Sequence, residues 1–568
     1  MVERLQPHVD GGRFPIRRTI GEVVSASADV FADGTDSVAG VLKYRHGDAE
    51  WLEIPLTPLG NDSWGASFTV TELGEYEYTI EAWIDRSAPT TADRPLRVSV
   101  DPVRARYGAW YEMFPRSSTS DPARGGTWHD AERRLSDIAA MGFDVLYLPP
   151  VHPIGSTHRK GRNNALAASP GDPGSPWAIG SDAGGHTAVD PGLGTLEDFD
   201  RFVATARHLG LDVALDLAFH TSPDHPWVKE HPQWFRRHPD GSIKYAENPP
   251  KKYQDIYPFD FDTGDWRALW DALRDVVLFW IAHGVRVFRV DNPHTKPFAF
   301  WEWLTADVRR RHPDAIFLSE AFTRPKVMHY LAKAAFNQSY TYFTWRNTAQ
   351  ELREYLTELT RTETLEYMRP NFFANTPDIL TEYLQQGGRP AFEVRLILAA
   401  TLSASYGIYS GFELCEHVPV RPGSEEYLNS EKYEIRPRDW HRPGNLNERI
   451  ARVNQIRREH AALQFNSGLA FHGTSNPALL WFSRTPPSVR LKPDTTYAER
   501  VFVVANTDPH GTQHGHVHVP IWELGIGPDQ PYVVQDLLED TCYAWQGEWN
   551  YVKLDPAERM AHIFVIRH

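Results

Sequence analysis

The residues whose types and spacing could do chemistry lie on three short apolar runs. The first, Gly284 to Pro297 (GVRVFRVDNPHTKP), alternates Val and Phe with Arg and reads as a buried strand. It delivers Arg289 and Asp291 to one side, two residues apart, and stops at Asn292-Pro293. An Asp at the C-terminal end of an apolar strand, with an Arg beside it, is how a parallel barrel presents a catalytic carboxylate. The guanidinium keeps that carboxylate ionised, as a nucleophile requires. Taken alone, the pair serves equally well as a structural ion pair. Ala315 to Phe322 (AIFLSEAF) is a second strand, ending on Glu320, and Arg369 to Asp378 (RPNFFANTPD) a third, ending on Asp378. Strand tips in a barrel converge on one pocket, so three acids there favour catalysis over a solvated surface. Glycoside chemistry needs such convergence: one carboxylate attacks the anomeric carbon and a second protonates the leaving oxygen, roughly 5–5.5 Å away in retaining enzymes.

These acids need a scaffold, and the alternation of strand and helix from Arg106 supplies one. Eight candidate strands are present: RYGAWYEMF, FDVLYLPPV, LDVALDLAF, VRVFRVD, AIFLSEAF, SYTYFTW, PNFFANTPD and YGIYSGFEL. Helices fall between them, at Trp301 to Arg310, Trp266 to His283 and Ala391 to Ser405. The expected core is therefore an α/β chain, a (β/α)8 TIM barrel over residues 104–463. Two intervals, 151–191 and 221–265, are too long for plain crossovers and are expected on the catalytic face as substrate-binding walls. Residues 1–103 alternate apolar and polar in short runs between turns and read as an N-terminal β-sandwich. Residues 464–568 read as a C-terminal β-sandwich, with strands at ALLWFSR, ERVFVVANTD, GHVHVPI and AHIFVIRH and turns elsewhere. Thr485 to Arg500, rich in Pro and polar residues, reads as an exposed insertion.

The composition narrows the function classes. A chain of 568 residues with a formal charge of −15 argues against a nucleic-acid partner. Two cysteines are too few for a disulfide framework, which fits a reducing compartment. The N-terminus has no apolar signal region and no stretch approaches a membrane span, so the expectation is a cytoplasmic protein without a membrane partner. The 19 Trp and 23 Tyr suit sugar stacking, though they equally suit a large core.

FRVDN, FLSEAF and ANTPD are similar to the second, third and fourth signature regions of the α-amylase superfamily, and Asp216, in LDVALDLAFH, stands where the first region has its Asp. The longer strings VFRVDNPHTKP, SEAFTRP, NTPDIL, KGRNN, SPWAIGS and NPPKKYQD resemble one family within it, the α-1,4-glucan:maltose-1-phosphate maltosyltransferases. That resemblance runs from about Arg106 to the C-terminus, and more weakly over the N-terminal region. It implies transfer of maltosyl from α-maltose 1-phosphate to the non-reducing end of an α-1,4-glucan, in glycogen biosynthesis, with configuration retained, phosphate released, and no cofactor or metal.

On this resemblance Asp291 is the nucleophile, Glu320 the general acid and later base, and Asp378 the third acid that holds sugar hydroxyls; Arg289 orients Asp291. As acid, Glu320 is expected to carry a raised pKa from burial and neighbouring carboxylates. Asn248, Lys251 and Tyr253, with Asn292, match positions that hold the donor's phosphate. Without the resemblance, the same loop is a solvated, lysine-bearing one. Lys160 and Trp177 match sugar-binding positions, and Asp216 and His220 complete the substrate-binding set. His220-Thr221 departs from the family, whose members commonly have Gln-Cys there, while amylases have Asn-His. A second departure is the short segment Arg86 to Leu96, which stands where relatives carry a long helical insert that helps make their homodimer. The expectation is a monomer, or an atypical homodimer.

Three features carry less. His514, His516 and His518 would share one face of a strand, and a polar strand face is a simpler reading than a metal site because no acidic or Cys partner is adjacent. DGGRFP is a turn without phosphate-loop spacing, and Asp224-His225 suits a loop wall. Two other readings stay open: an amylase-type glucan hydrolase or transglycosylase, and a non-catalytic carbohydrate-binding barrel.

Overall fold

The computed structural model describes all residues except 34–36, 85–88, 93, 122, 249–250, 488–499 and 568, and the side chains of Asn248 and Lys251 also lie outside the described set. Eight parallel strands form its central ring. In chain order they are Gly108–Glu112, Val145–Leu148, Asp212–Leu217, Val287–Val290, Ile316–Ser319, Gln338–Ser339, Asn371–Phe373 and Ser405–Tyr409. Each pairs with its sequence neighbour, and the eighth pairs with the first. The sixth and seventh close the ring through a single bridge, Ser339 with Pro370, where the Ser339 N–H donates to the Arg369 carbonyl at 3.0 Å.

The strands alternate in the way a filled barrel demands. Trp110, Val145, Tyr147, Ala214, Val287, Ile316, Leu318, Tyr340 and Phe373 pack as one buried interior cluster. Gly407 is what lets the Phe373 ring lie across the eighth strand, since a Cβ there would stand 2.5 Å from the ring. Three of the barrel's helices open on capping boxes. Thr127, for example, opens Trp128–Ala140 with a capping box to Asp130.

Two strands differ from expectation. The sixth was expected over SYTYFTW, but only Gln338–Ser339 pair, and Tyr342–Trp345 coil into a 3-10 turn. There the Thr341 hydroxyl accepts the Phe343 N–H, a local bond that competes with the ladder, and Phe343 stacks on Phe372 with centroids 4.4 Å apart. The seventh strand stops at Phe373, so Asp378 lies five residues beyond its end, in a turn closed between Thr376 and Ile379.

N-terminal to the barrel, a four-stranded sheet and a larger, mostly antiparallel sheet pack face to face. Within Arg86 to Leu96, Thr90–Thr91 pair with the strand Gly74–Ile84; residues 86–88 and 93 lie outside the described residues. C-terminal to it, a six-stranded sheet and a two-stranded sheet enclose a separate core around Trp481 and Trp545. Pro531–Asp536, Thr541–Gln546 and Trp549–Leu554 are strands there, although turns were expected. Pro531–Asp536 and Trp549–Leu554 expose alternate residues and Thr541–Gln546 exposes all but Trp545, so none carries the buried apolar run that marks a strand in sequence. Most of the expected insertion Thr485 to Arg500 lies outside the described residues.

A buried carboxylate ties the N-terminal sheet to the barrel. Asp101 accepts from Arg309 and Arg369 and from Asn337 Nδ2 at 2.9 Å, and Arg17 Nη1 lies 3.8 Å away.

Candidate active site

Strand four places Arg289 inward and ends so that Asp291 follows at its tip; strand five does the same for Glu320. Arg289 Nη1 donates to Asp291 Oδ1 at 3.0 Å, and Nη2 meets Glu320 Oε1 at 2.6 Å. On the other side, Asn292 donates its backbone N–H to Glu320 Oε2 and its Nδ2–H to Asp291 Oδ2, both at 3.3 Å. One guanidinium and one asparagine thus bridge the same two carboxyl groups. Asn292 does this from a left-handed backbone (φ 43°), which asparagine tolerates better than most residues.

Burial and charge then push the two carboxyls apart. Burial raises Asp291, but Arg289 first, with Lys296 and the Asn292 bond, outweighs it and holds the carboxylate below its usual range. For Glu320 burial wins. Arg289 alone would keep it ionised, but Asp291, Asp378 and Asp216 add to the burial cost and lift it to about 8. One group is therefore ionised and the other protonated at neutral pH, the division that nucleophile and general acid require.

Asp216 lies beneath this pair. Its carboxylate accepts from Tyr147 at 2.6 Å and from Arg289 Nη1 at 2.8 Å and has no solvent-exposed surface. It was expected among the substrate-binding groups, and in the structure its carboxylate is closed from solvent and bonded to Arg289. Asp378 is more open, with 41% of its side chain exposed, and its carboxylate is held by Lys432, which also reaches Glu426 at 3.1 Å.

The two long loops pack on each other beside the site. Asp224 accepts from the backbone of Ser156 at 2.6 Å and of Thr157 at 2.7 Å, so it braces the loops. Lys160 is buried and donates to Gln254, at the foot of the hairpin that carries Tyr253. Trp177 is buried against Phe114, and its carbonyl pairs with His220 Nε2 at 2.9 Å. His220 interacts with Asp291, and burial lowers it to about 4, so it is neutral at pH 7. Asn248 and Lys251 pair through their backbones in that hairpin, and their side chains lie outside the described residues.

A histidine chain fastens the same loops. Trp227 N–H donates to His225 Nδ1, so His225 carries its proton on Nε2 and passes a bond to His186 Nδ1 at 3.1 Å. His186 then donates from Nε2 to the Ala218 carbonyl at 3.0 Å. Gly185 makes room for it: a Cβ there would lie 2.1 Å from His225 Nε2.

Sequence reasoning missed Tyr147, Lys296 and Lys432. Tyr147 and Lys296 had visible signals: an inward position on strand two, and a place five residues after the nucleophile. Lys432 sits in a long loop with no periodicity to betray it. His514, His516 and His518 do lie on one face of the strand Gln513–His518, beside Tyr551 and Trp549. Among the described residues no cluster of three or more His, Cys, Asp or Glu side chains is arranged to hold a metal.

An eight-stranded parallel barrel with an arginine-bridged Asp and Glu on adjoining strand tips, flanked by sheet domains, defines an enzyme of the α-amylase class. An α-amylase from Lactobacillus plantarum shares this fold, with a TM-score of 0.62 over 82% of this chain and 100% of its own, at 19% identity. The α-amylase catalytic domain matches residues 112–270. Domain N/S of α-1,4-glucan:maltose-1-phosphate maltosyltransferase matches residues 1–97, and the domain described as GLGE, C-terminal, matches 471–566. The maltosyltransferase of that name from Chlorobaculum tepidum is 46% identical, covering 99% of this chain and 96% of the relative. The second such enzyme of Streptomyces coelicolor is 47% identical, covering 100% and 96%. The chain belongs to the α-1,4-glucan:maltose-1-phosphate maltosyltransferase family. The alignment to the C. tepidum enzyme extends over 650 positions against 568 residues here, so that relative carries stretches this chain lacks.

Proposed function

We propose that the chain transfers maltosyl from α-maltose 1-phosphate to the non-reducing end of an α-1,4-glucan, releasing phosphate and retaining configuration. Asp291 attacks the anomeric carbon and forms a β-linked ester while Glu320 gives its proton to the departing phosphate oxygen. Glu320, now ionised, takes the proton of the acceptor's 4-hydroxyl, whose oxygen displaces Asp291. Asp378 holds donor hydroxyls, and Asn248, Lys251, Tyr253 and Asn292 hold the phosphate. Lys160, Trp177 and His220 shape the sugar subsite.

The observation that carries this reading is the shared bridge between Asp291 and Glu320. A pair spanned by one guanidinium is held close together, as a retaining mechanism needs, and its split protonation suits double displacement. The family supplies the donor and acceptor.

The division into 1–103, 104–463 and 464–568 is part of the same proposal, supported by the sheet organisation and by the matches at either end. A monomer, or a homodimer through another surface, follows from the shortness of Arg86 to Leu96, which cannot supply the roughly 800 Å² per partner of a standard interface. Cys415 and Cys542 are both unpaired, which supports a reducing, cytoplasmic setting. No helix among the described residues is long and apolar enough to cross a membrane.

Purified protein given maltose 1-phosphate plus glycogen should release phosphate and lengthen the glucan in steps of two glucose units. Chain shortening or disproportionation of starch alone, with no phosphate released from maltose 1-phosphate, would instead identify a hydrolase or transglycosylase.

A further inference from the structure

We infer that Lys296 is a specificity-determining cation, one that offers its uncommitted charge to the donor's phosphate as that group sits on and leaves the sugar. The inference rests on the donor proposed above. Its basis is an inventory of the described cationic side chains around the nucleophile, Lys251 lying outside that set. Arg289 is fully engaged by Asp216, Asp291 and Glu320. Lys432 is shared between Asp378 and Glu426. Lys160 is turned to Gln254 and the Lys252 carbonyl. Lys296 differs from all three. Its ammonium donates only to main-chain carbonyls, of Asp291 at 3.2 Å and of Asn292 at 3.3 Å. Among the described residues it forms no ion pair, and its third N–H finds no acceptor.

Lys296 is half-buried, so its ammonium gives up part of its hydration, and the two carbonyls return some of it without a counter-ion. Burial accordingly lowers its pKa, against the more distant pull of Asp291, Glu320 and Asp216. The chain holds it there by construction. Residues Pro293–Thr295 form a tight 3-10 turn, Lys296 is extended, and Pro297 then starts the helix Phe298–Arg311, so the ammonium is folded back under the nucleophile. Asn292, which that ammonium touches, is exposed at the mouth of the site. An anion seated beside Asn292 meets the free donor and supplies the missing counter-charge. A neutral glucan leaving group does neither. The ligand class is thus a phosphate monoester, and the residue favours it over a glycosidic donor.

Lys296→Gln keeps a donor for the carbonyls and removes the charge; Lys296→Arg keeps the charge. Two donors, maltose 1-phosphate and maltosyl fluoride, are compared on each, and inorganic phosphate binding is measured by calorimetry. Loss of a charge-assisted bond corresponds to about tenfold or more. Lys296→Gln should therefore cut the ratio of kcat/KM for maltose 1-phosphate over maltosyl fluoride by about tenfold and weaken phosphate binding by a similar factor. Lys296→Arg should restore most of both. Equal losses on the two donors, with unchanged phosphate affinity, would make Lys296 a brace for the turn and overturn the inference. Wild-type protein that releases no phosphate from maltose 1-phosphate overturns the proposed function instead, and the phosphate-binding comparison still decides the role of Lys296.

Discussion

Asp291 and Glu320 are held by the same two residues: Arg289 takes one oxygen of each, and Asn292 takes the other. The arrangement fixes their separation without a direct contact between them. It also lets a single arginine neutralise the carboxylate that attacks while leaving its neighbour protonated.

Removing either acid should separate the two chemical steps. Asp291→Ala abolishes transfer while circular dichroism stays native. Glu320→Gln lowers kcat with maltose 1-phosphate by about 10²–10⁴-fold, the usual worth of a general acid. With maltosyl fluoride, whose leaving group needs little protonation, Glu320→Ala should accumulate an ester that peptide mass spectrometry places on Asp291. An adduct on any other residue would refute the assignment.

The alkaline limb of the pH profile belongs to Glu320. Its proton is the one delivered to the leaving group, so kcat/KM should fall as pH rises through about 8. A donor that needs no acid, such as maltosyl fluoride, should lack that limb in its glycosylation step. A limb of equal position and depth for both donors would trace it to another group.

How much of this was legible in the sequence depends on whether a feature is local. Arg289, Asp291 and Glu320 stood out because period-two strands deliver them, and the same periodicity gave seven barrel strands their places. The sixth strand failed because a Thr341 cap redirects an aromatic run that looks extended. Asp378 was expected at a strand tip and lies in the turn beyond, since nothing in NTPD marks where pairing stops. Lys432 and the histidine chain are made of residues far apart in sequence, and no spacing rule brings them together.

The Asp101 cluster should be a major stabiliser of the packing between N-terminal sheet and barrel. Asp101→Asn preserves shape but leaves Arg17, Arg309 and Arg369 facing one another without a counter-charge. Breaking a buried pair this way costs about 3–5 kcal/mol, so the urea midpoint of the mutant should drop clearly. An unchanged midpoint would show the arginines to be satisfied elsewhere.

Acid should loosen the loops before it reaches the carboxylates' own range. Burial depresses His152 to about 4 and His225 to about 3, while in the unfolded chain they titrate near 6.5. Groups with depressed folded pKa values contribute fully above the unfolded value, and that contribution is lost as pH falls from 6.5 through the folded values. Urea midpoints should therefore be lower at pH 5 than at pH 7.5, and His152→Gln should flatten the difference. Equal slopes in mutant and wild type would place the acid sensitivity elsewhere.

The proton chain through His225 and His186 joins residues 221–265 to residues 151–191, and Gly185 is shaped to the ring it meets. For evolution this makes two stretches of sequence one unit of inheritance. A loop grafted alone with any residue but histidine at 186 or 225 would break that chain, and any residue but glycine at 185 would crowd the ring. Grafts of one stretch that keep Gly185, His186 and His225 should fold, and grafts that replace any of the three should fold only when the other stretch is exchanged with them.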